Sequence, residues 1–383
     1  MQYINAGIYT ERGYVPGAFT VKDGLFTEVM VGPSAGMKET GDVVDLRGRK
    51  VLPGLIDIHI HGAAGSDFSD GNIISIENMA AYLAKTGVTS FVPTSMTLPH
   101  NALAAAFRAA RDYNAFSRDP EHRGLSKLAG IHMEGPFLSE KKCGAQNRRF
   151  LRSPDMEEFR ELYELSGGLI RIADIAPELE GAAEFTREAA DFSTISIAHT
   201  DADYNEAARI FDAGATHLTH LFNAMPSIHH RAPGVIGAAS ERNDVIAELI
   251  CDGHHVHPSA VRMAFKLFPG RICLVSDALR CLGMPDGDYD LGGQAIALSD
   301  GVAKLADGTL AGSSTGLFDC MKNAIRFGIP EIEAVRAAAT VPAGCIGMTD
   351  RIGSIAAGKA ADFLICDDDL NLEQVFIDGV RAA

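Results

Sequence analysis

The sequence predicts an α/β fold, a (β/α)8 TIM-type barrel carrying a small β-sandwich domain built from both chain ends. Three observations predict it. Between residues 52 and 349, eight short apolar runs recur with amphipathic stretches between them, and strands alternating with helices imply a parallel sheet that eight units can close. Residues 1–51 and 350–383 keep a different rhythm, short strands broken by glycine turns. The side chains able to do chemistry stand where the apolar runs end, the place at which a barrel gathers its functional groups.

In chain order, QYINAGIYT, YVPGAFTVKDGLFTEVM and GDVVDLRGRKV read as strands, with Asp23-Gly24 placed as a hairpin turn. The barrel opens with VLPGLIDIHIHG, residues 51–62. Its nearly continuous apolar run suits a strand buried on both faces. It ends in His59 and His61, which the alternation of a strand turns to one side, a bite for a metal ion. Alone, the pair is equally consistent with a polar strand end at the surface.

Seven further runs follow, TSFVPTSM, LAGIHMEGPF, LIRIADIAPE, STISIAHT, THLTHLFNAM, VIAELICDGHH and ICLVSDA. Helical patterns over 75–85, 103–114, 154–165, 182–190, 204–213 and 258–267 separate them. Strand three ends in His132 and Glu134, strand five in His199, and strand six in His217, His220 and Asn223. Strand seven ends in Asp252, His254 and His255, and strand eight in Asp277. Any one of these could cap a helix or line a turn; their joint placement points to a site. At the carboxyl end, IGSIAAGKAADFLICDDD and EQVFIDGVRA return to strands and turns.

Composition removes several classes of function. The 383 residues are 46% hydrophobic and 22% charged, as in ordinary globular proteins. A net charge of −16 disfavours nucleic acid and anionic membrane as partners, which need clustered Lys and Arg. The amino terminus lacks the regions of a signal peptide, and no apolar run reaches the roughly 18 residues of a membrane span, so the expectation is a cytoplasmic protein. Seven cysteines form no CxxC pair and read as reduced core residues.

Hydrolysis of an unactivated bond through a metal-activated water needs three or four His, Asp or Glu ligands and a base. Glu134, His199 and His220 supply ligands and Asp277 a base. Strand four offers Asp174 and Glu178 but no lysine, so a carbamylated lysine between two metals has no support. The chain has no G-x-S-x-G elbow, and neither a phosphate loop nor a dinucleotide fingerprint follows a strand.

Taken together, LPGLIDIHIHG, HMEGPFL, AHTDA, HLTHLFNAMP, DGHH, LVSDA, LAGSS and GKAADF resemble the N-acetylglucosamine-6-phosphate deacetylases of the amidohydrolase superfamily. The likeness runs nearly end to end. It implies removal of the acetyl group from N-acetyl-D-glucosamine 6-phosphate, giving D-glucosamine 6-phosphate and acetate. It also implies a divalent metal, zinc first with iron, manganese or cobalt as alternatives, held by Glu134, His199 and His220. Asp277 matches the general acid/base. Asn223, Ala224, Arg231 and His255 match sugar-phosphate contacts, and Ala145 with Leu310, Ala311 and Gly312 matches positions lining the sugar site. The family's counterpart of Arg231 enters the neighbouring subunit's site, which implies a homodimer.

Two details depart from the commonest pattern. Members carrying the first-strand HxH can hold a second ion that Glu134 would bridge, and His59 and His61 are present here. Gln146 stands where the family often has a histidine near the substrate amide; it can donate to an oxyanion but carries no charge. Rival readings are an N-acetylgalactosamine-6-phosphate deacetylase and a cyclic-amide hydrolase, which should lack THLFNAMP. A third is a non-catalytic scaffold, which should have lost its ligands. His132, His217, His229, His230, His254 and His257 have no role assigned by the sequence, with capping or the surface as the plain default for each.

Overall fold

In the computed structural model, which describes residues 1–32, 41–117, 119 and 122–382, eight parallel strands form the predicted barrel. They are Leu55–Ile60, Val88–Ser95, Ile131–Met133, Ile170–Ile175, Thr194–Ile197, His217–Leu218, Ile246–Ile250 and Ile272–Val275, each beside the next. Closure comes where the last meets the first. Ile60 bridges Ala278 in parallel, and the Asp277 N–H donates to the His59 carbonyl at 2.9 Å. The bonds that seal the ring therefore run through the HxH segment and Asp277.

The helices arise where apolar spacing and caps coincide. Ile73–Lys85 buries Ile76, Met79, Ala80 and Leu83, the i, i+3, i+4, i+7 stripe of a helix lying on a sheet. Tyr204–Ala213 starts at a reciprocal cap in which Asp203 accepts from the Glu206 N–H and Glu206 accepts from the Asp203 N–H. Pro258–Leu267 places proline in its first turn. Inside the barrel, Ile56, Ile58, Val92, Ile172, Ile250 and Val275 pack with Val341, Ala343 and Cys345 of the short helix Thr340–Cys345. That helix plugs the end away from the site, since the Cys345 carbonyl accepts from Thr194, the first residue of the fifth strand (2.9 Å).

Both chain ends enter one further sheet. Its order is Val380–Arg381, Leu372–Ile377, Phe363–Cys366, Lys50–Pro53, Gln2–Thr10, Gly13–Lys22 and Leu25–Val31, with Val43–Asp45 also on Gln2–Thr10. Residues 33–40 of the predicted amino-terminal unit lie outside the described residues. The sheet packs an aromatic cluster in which Tyr3 stacks on Phe19 at 4.8 Å and Phe363 on Phe376 at 4.5 Å. Such rings bury large apolar area from few residues. All seven cysteines are buried and unpaired, as expected of reduced core residues.

One element was not foreseen. After Asp277 the chain forms a four-stranded antiparallel sheet, Gly287–Leu291, Gln294–Ser299, Val302–Leu305 and Leu310–Ser313. It lies over the carboxyl ends of the barrel strands and contributes one wall of the site.

Candidate active site

Short strands that turn sharply deliver the chemistry. His199, His220 and Asp277 each follow the last residue of a strand by two positions and have positive φ, at 40°, 32° and 48°. Residues with a Cβ rarely adopt that region, which costs on the order of 1 kcal/mol each. The turn swings each side chain back over the barrel mouth. There Glu134 Oε1 lies 3.0 Å from His199 Nε2 and 3.1 Å from His220 Nε2, and the two imidazole nitrogens are 3.0 Å apart. Glu134 Oε2 lies 3.2 Å from His61 Nε2, while Asp277 Oδ1 is 3.2 Å from His61 Nε2 and 3.4 Å from His59 Nε2. The predicted ligands converge, with one carboxylate shared between two histidine pairs.

The donor set fits a divalent cation. His199 Nδ1 donates to the Lys142 carbonyl (2.9 Å), His61 Nδ1 to the Thr94 carbonyl (3.1 Å), and His59 Nδ1 to Glu248 Oε2 (2.8 Å). Each bond places the ring proton on Nδ1 and turns the Nε2 lone pair inward, the arrangement found behind metal-ligating histidines. His59 Nε2 is buried without a hydrogen-bond partner, an orphan that a cation would satisfy. His59, His61 and Glu134 form one potential ligand group, and Glu134, His199 and His220 another.

Electrostatics agree. Burial opposes charge on Glu134, yet the His59 field and hydrogen bonds from His199 and His220 outweigh it and hold its carboxyl well below the usual range. Burial likewise opposes charge on Asp277, but the His59 field and the His61 contact bring it down to about 2. For His61, burial disfavours the cation, and Asp277 and Glu134 reverse this, pushing it up to about 10. Two ionised carboxylates in a buried space demand positive charge, which arrives as imidazole protons or as a metal ion.

A cavity of about 240 Å³ opens on this centre. It is lined by Glu134, His61, His199, His220 and Asp277, and also by Ala145, Gln146, Asn223, Ala224, His255, Leu310, Ala311 and Gly312. His59 sits behind, fully buried. Arg231 is absent from the lining; it is exposed, with Nη1 2.7 Å from His230 Nε2. Among the described residues the lining contains no Lys or Arg. His255 donates from Nδ1 to Asp252 (2.6 Å); although burial works against its charge, Asp252 raises its pKa.

Gln146 has a different posture from the one its position suggested. Its Oε1 accepts the Thr97 N–H (2.6 Å), which fixes the amide orientation, and its Nε2 donates to Glu134 Oε2 (2.7 Å). The side chain steadies the shared carboxylate. Two of the unassigned histidines depart from the capping or surface default: His132 is buried between the Ile58 carbonyl and Asp174 (3.1 and 2.9 Å), and His217 is buried beside Ser196 (3.0 Å). His132 shares a strand phase with Glu134 one step deeper in the barrel, which put it inside rather than out. His257 caps its helix as read, accepting from the Ser259 N–H. His229, His230 and His254 are exposed.

Glycine matters at one wall position. A Cβ on Gly312 would lie 3.0 Å from Asp277 Oδ1 and 2.8 Å from Leu279 Cδ2, while the neighbouring Ser313 N–H donates to the Asp277 carbonyl (2.6 Å). The inserted sheet thus grips Asp277 through a strand that has no room for a side chain. The same Cβ would press on the Asp277 backbone carbonyl, so Gly312→Ala is expected to displace Asp277 and lower kcat on the order of 100-fold, with a fall in the urea midpoint corresponding to about 1–3 kcal/mol. Steady-state kinetics beside urea unfolding check this, and an unchanged kcat would detach the sheet from the chemistry.

Imidazoles and carboxylates converging at the carboxyl-terminal mouth of a (β/α)8 barrel make a cluster compatible with a divalent metal site, the class of site found on amidohydrolase barrels. The chain belongs to the amidohydrolase family, whose model matches residues 50–382. It is 40% identical over 330 residues to an N-acetylglucosamine-6-phosphate deacetylase of Bacillus subtilis, covering 83% of this chain and 81% of that one. It is 31% identical over 379 residues to an N-acetylgalactosamine-6-phosphate deacetylase of Escherichia coli O157:H7, covering 98% and 97%. Its fold is similar to an aspartate-to-alanine variant of the Mycobacterium smegmatis N-acetyl-D-glucosamine-6-phosphate deacetylase, solved with N-acetyl-D-glucosamine 6-phosphate. There the TM-score is 0.92 at 31% identity, over 100% of this chain and 99% of that one.

Proposed function

We propose that this chain hydrolyses the acetamide of N-acetyl-D-glucosamine 6-phosphate, releasing acetate and D-glucosamine 6-phosphate, at a divalent metal centre for which zinc is the first candidate ion. The observation that carries the reading is Glu134, shared between His61 and the His199/His220 pair, with Asp277 beside it at the same cavity. When bound, the ion acidifies a water and polarises the acetyl carbonyl. His199 and His220 would hold it with Glu134, and His59 and His61 would hold a second ion against the same carboxylate. Asp277 takes the proton from the water and returns it to the departing nitrogen, which leaves poorly unless protonated. Gln146 keeps Glu134 in place.

The phosphate end supports the reading of a homodimer. A dianion needs cations, and the lining offers only histidines, with His255 supported by Asp252. Arg231, exposed on its loop, would complete the site of a second copy. Arg231→Ala is expected to lower kcat/KM about 10- to 100-fold, the loss of one or two hydrogen bonds to a charged group. Mixing this variant with Asp277→Asn chains should restore activity, because a mixed dimer rebuilds one intact site. No recovery on mixing would place Arg231 outside the partner's site.

A second reading has its own support, since the galactosamine enzyme matches over nearly the whole chain. Acetate release from both 6-phosphates, measured beside elemental analysis of the purified protein, separates the two. Preference for the gluco epimer supports the first reading. A preference for the galacto epimer replaces the substrate, and release from neither rejects the deacetylase altogether.

A further inference from the structure

Beneath the cavity floor, the barrel interior holds a layer of buried polar groups that the reaction does not use. Glu248, fully buried in the seventh strand, is at its centre. One oxygen, Oε2, accepts from His59 Nδ1 at 2.8 Å and from the His220 N–H at 3.2 Å. The main-chain carbonyl of the same residue accepts the Leu221 N–H at 2.9 Å. Its other oxygen, Oε1, has no hydrogen-bond partner and lies 3.8 Å from His132 Nδ1 and 3.9 Å from His217 Nε2.

We propose that Glu248 is the positioning residue that sets both halves of the metal centre together. It holds the His59 ring through the side chain and the strained turn carrying His220 through the backbone. The inference rests on the metal-centre reading above and extends it to a residue that never meets the substrate. A single oxygen accepting from both elements couples the His59/His61 position to the Glu134/His199/His220 position. Shifting the carboxylate rotates the first imidazole about its Cβ and releases the N–H of a residue whose φ is 32°. The bond to Nδ1 also selects the tautomer that leaves Nε2 free toward Asp277 (3.4 Å) and Glu134 (3.7 Å). Outer partners of this kind are worth about 10- to 100-fold in metal affinity. A purely structural bridge between the first and seventh strands would instead stabilise the metal-free chain and leave affinity alone.

Zinc and cobalt(II) titrations against a competing chelator, with elemental analysis and the visible absorption of the cobalt-loaded chain, test this on wild type and three variants. Glu248→Leu removes the acceptor and is expected to weaken metal binding about 10- to 100-fold and to alter the cobalt spectrum. Glu248→Gln keeps an acceptor oxygen and should recover most of the affinity. Glu248→Asp is too short to serve both partners; it should bind about 10-fold more weakly and decides the matter if the leucine variant does not fold. Wild-type affinity and spectrum in a folded Leu or Asp variant, whatever its urea stability, overturn the role of Glu248 alone. A wild-type chain that takes up neither ion overturns the metal centre and this inference with it.

Discussion

Asp277→Asn is expected to keep its metal and lose turnover by about 10⁴-fold, the upper range for removing a general acid/base. Asparagine matches aspartate in shape and retains an oxygen that can sit 3.2 Å from His61 Nε2, as Asp277 Oδ1 does. The backbone contacts that fix the position do not depend on the side chain: the N–H donates to the His59 carbonyl (2.9 Å) and the carbonyl accepts from Ser313 (2.6 Å). What disappears is the ability to take a proton. The pKa of Asp277, brought down to about 2, leaves it ionised and ready as a base throughout the neutral range. An amide substituent cannot accept the water's proton and so has none to pass to the leaving nitrogen. Kinetics together with metal content per chain check the result. Turnover within tenfold of wild type would move the proton transfer to another group, and loss of metal would make Asp277 chiefly a ligand.

Much of this arrangement was legible because strand ends and chemistry coincide. A barrel requires functional groups at the carboxyl ends of its strands, and Glu134, His199, His220 and Asp277 close the apolar runs of the sequence itself. Helices with strong punctuation were also read closely. Tyr204–Ala213 matches the expected 204–213, and Pro258–Leu267 matches 258–267, since a capping box and an N-terminal proline mark their starts. The third and sixth strands were read too long. The sixth is only His217–Leu218, because the chain breaks into positive-φ turns at His220, Phe222 and Ala224, a conformation that no apolar pattern reveals.

Glu248 was missed although the signal was present. A glutamate inside the apolar run VIAELI is an anomaly, since a buried acid needs a partner. Only the fold brings His59, nearly two hundred residues away in sequence, within reach of it. The inserted sheet over 287–313 was missed for a different reason. Its Gly292-Gly293 and Asp300-Gly301 turns were legible as hairpins, but the alternation of strand and helix that organised the rest of the chain ends at Asp277. Gln146 was placed at the site by resemblance, and its actual partners, Thr97 and Glu134, follow from the folded loop alone.

Glu134→Ala should abolish metal binding as well as activity, which makes it the companion of Asp277→Asn. The Glu134 carboxylate faces the inward nitrogens of both histidine pairs: Oε1 meets His199 and His220 Nε2 at 3.0 and 3.1 Å, and Oε2 meets His61 Nε2 at 3.2 Å. Removing it leaves each pair without its anionic ligand. Negative charge is lost as well. Without Glu134, His199 loses its main raising partner and His59 and His61 lose one beside Asp277, so a dication meets a weaker site. Metal content measured after dialysis should fall to near zero, and kcat/KM should drop by more than about 10⁴-fold, since metal activation and ligand geometry are lost together. His59→Ala is the informative contrast, because it removes one member of one pair and leaves Glu134, His199 and His220 intact. If Glu134 is the hub, that variant retains about one ion per chain where Glu134→Ala retains none. Equal metal loss in the two would show that the pairs are filled only together, and full metal retention in Glu134→Ala would remove the shared carboxylate from the centre.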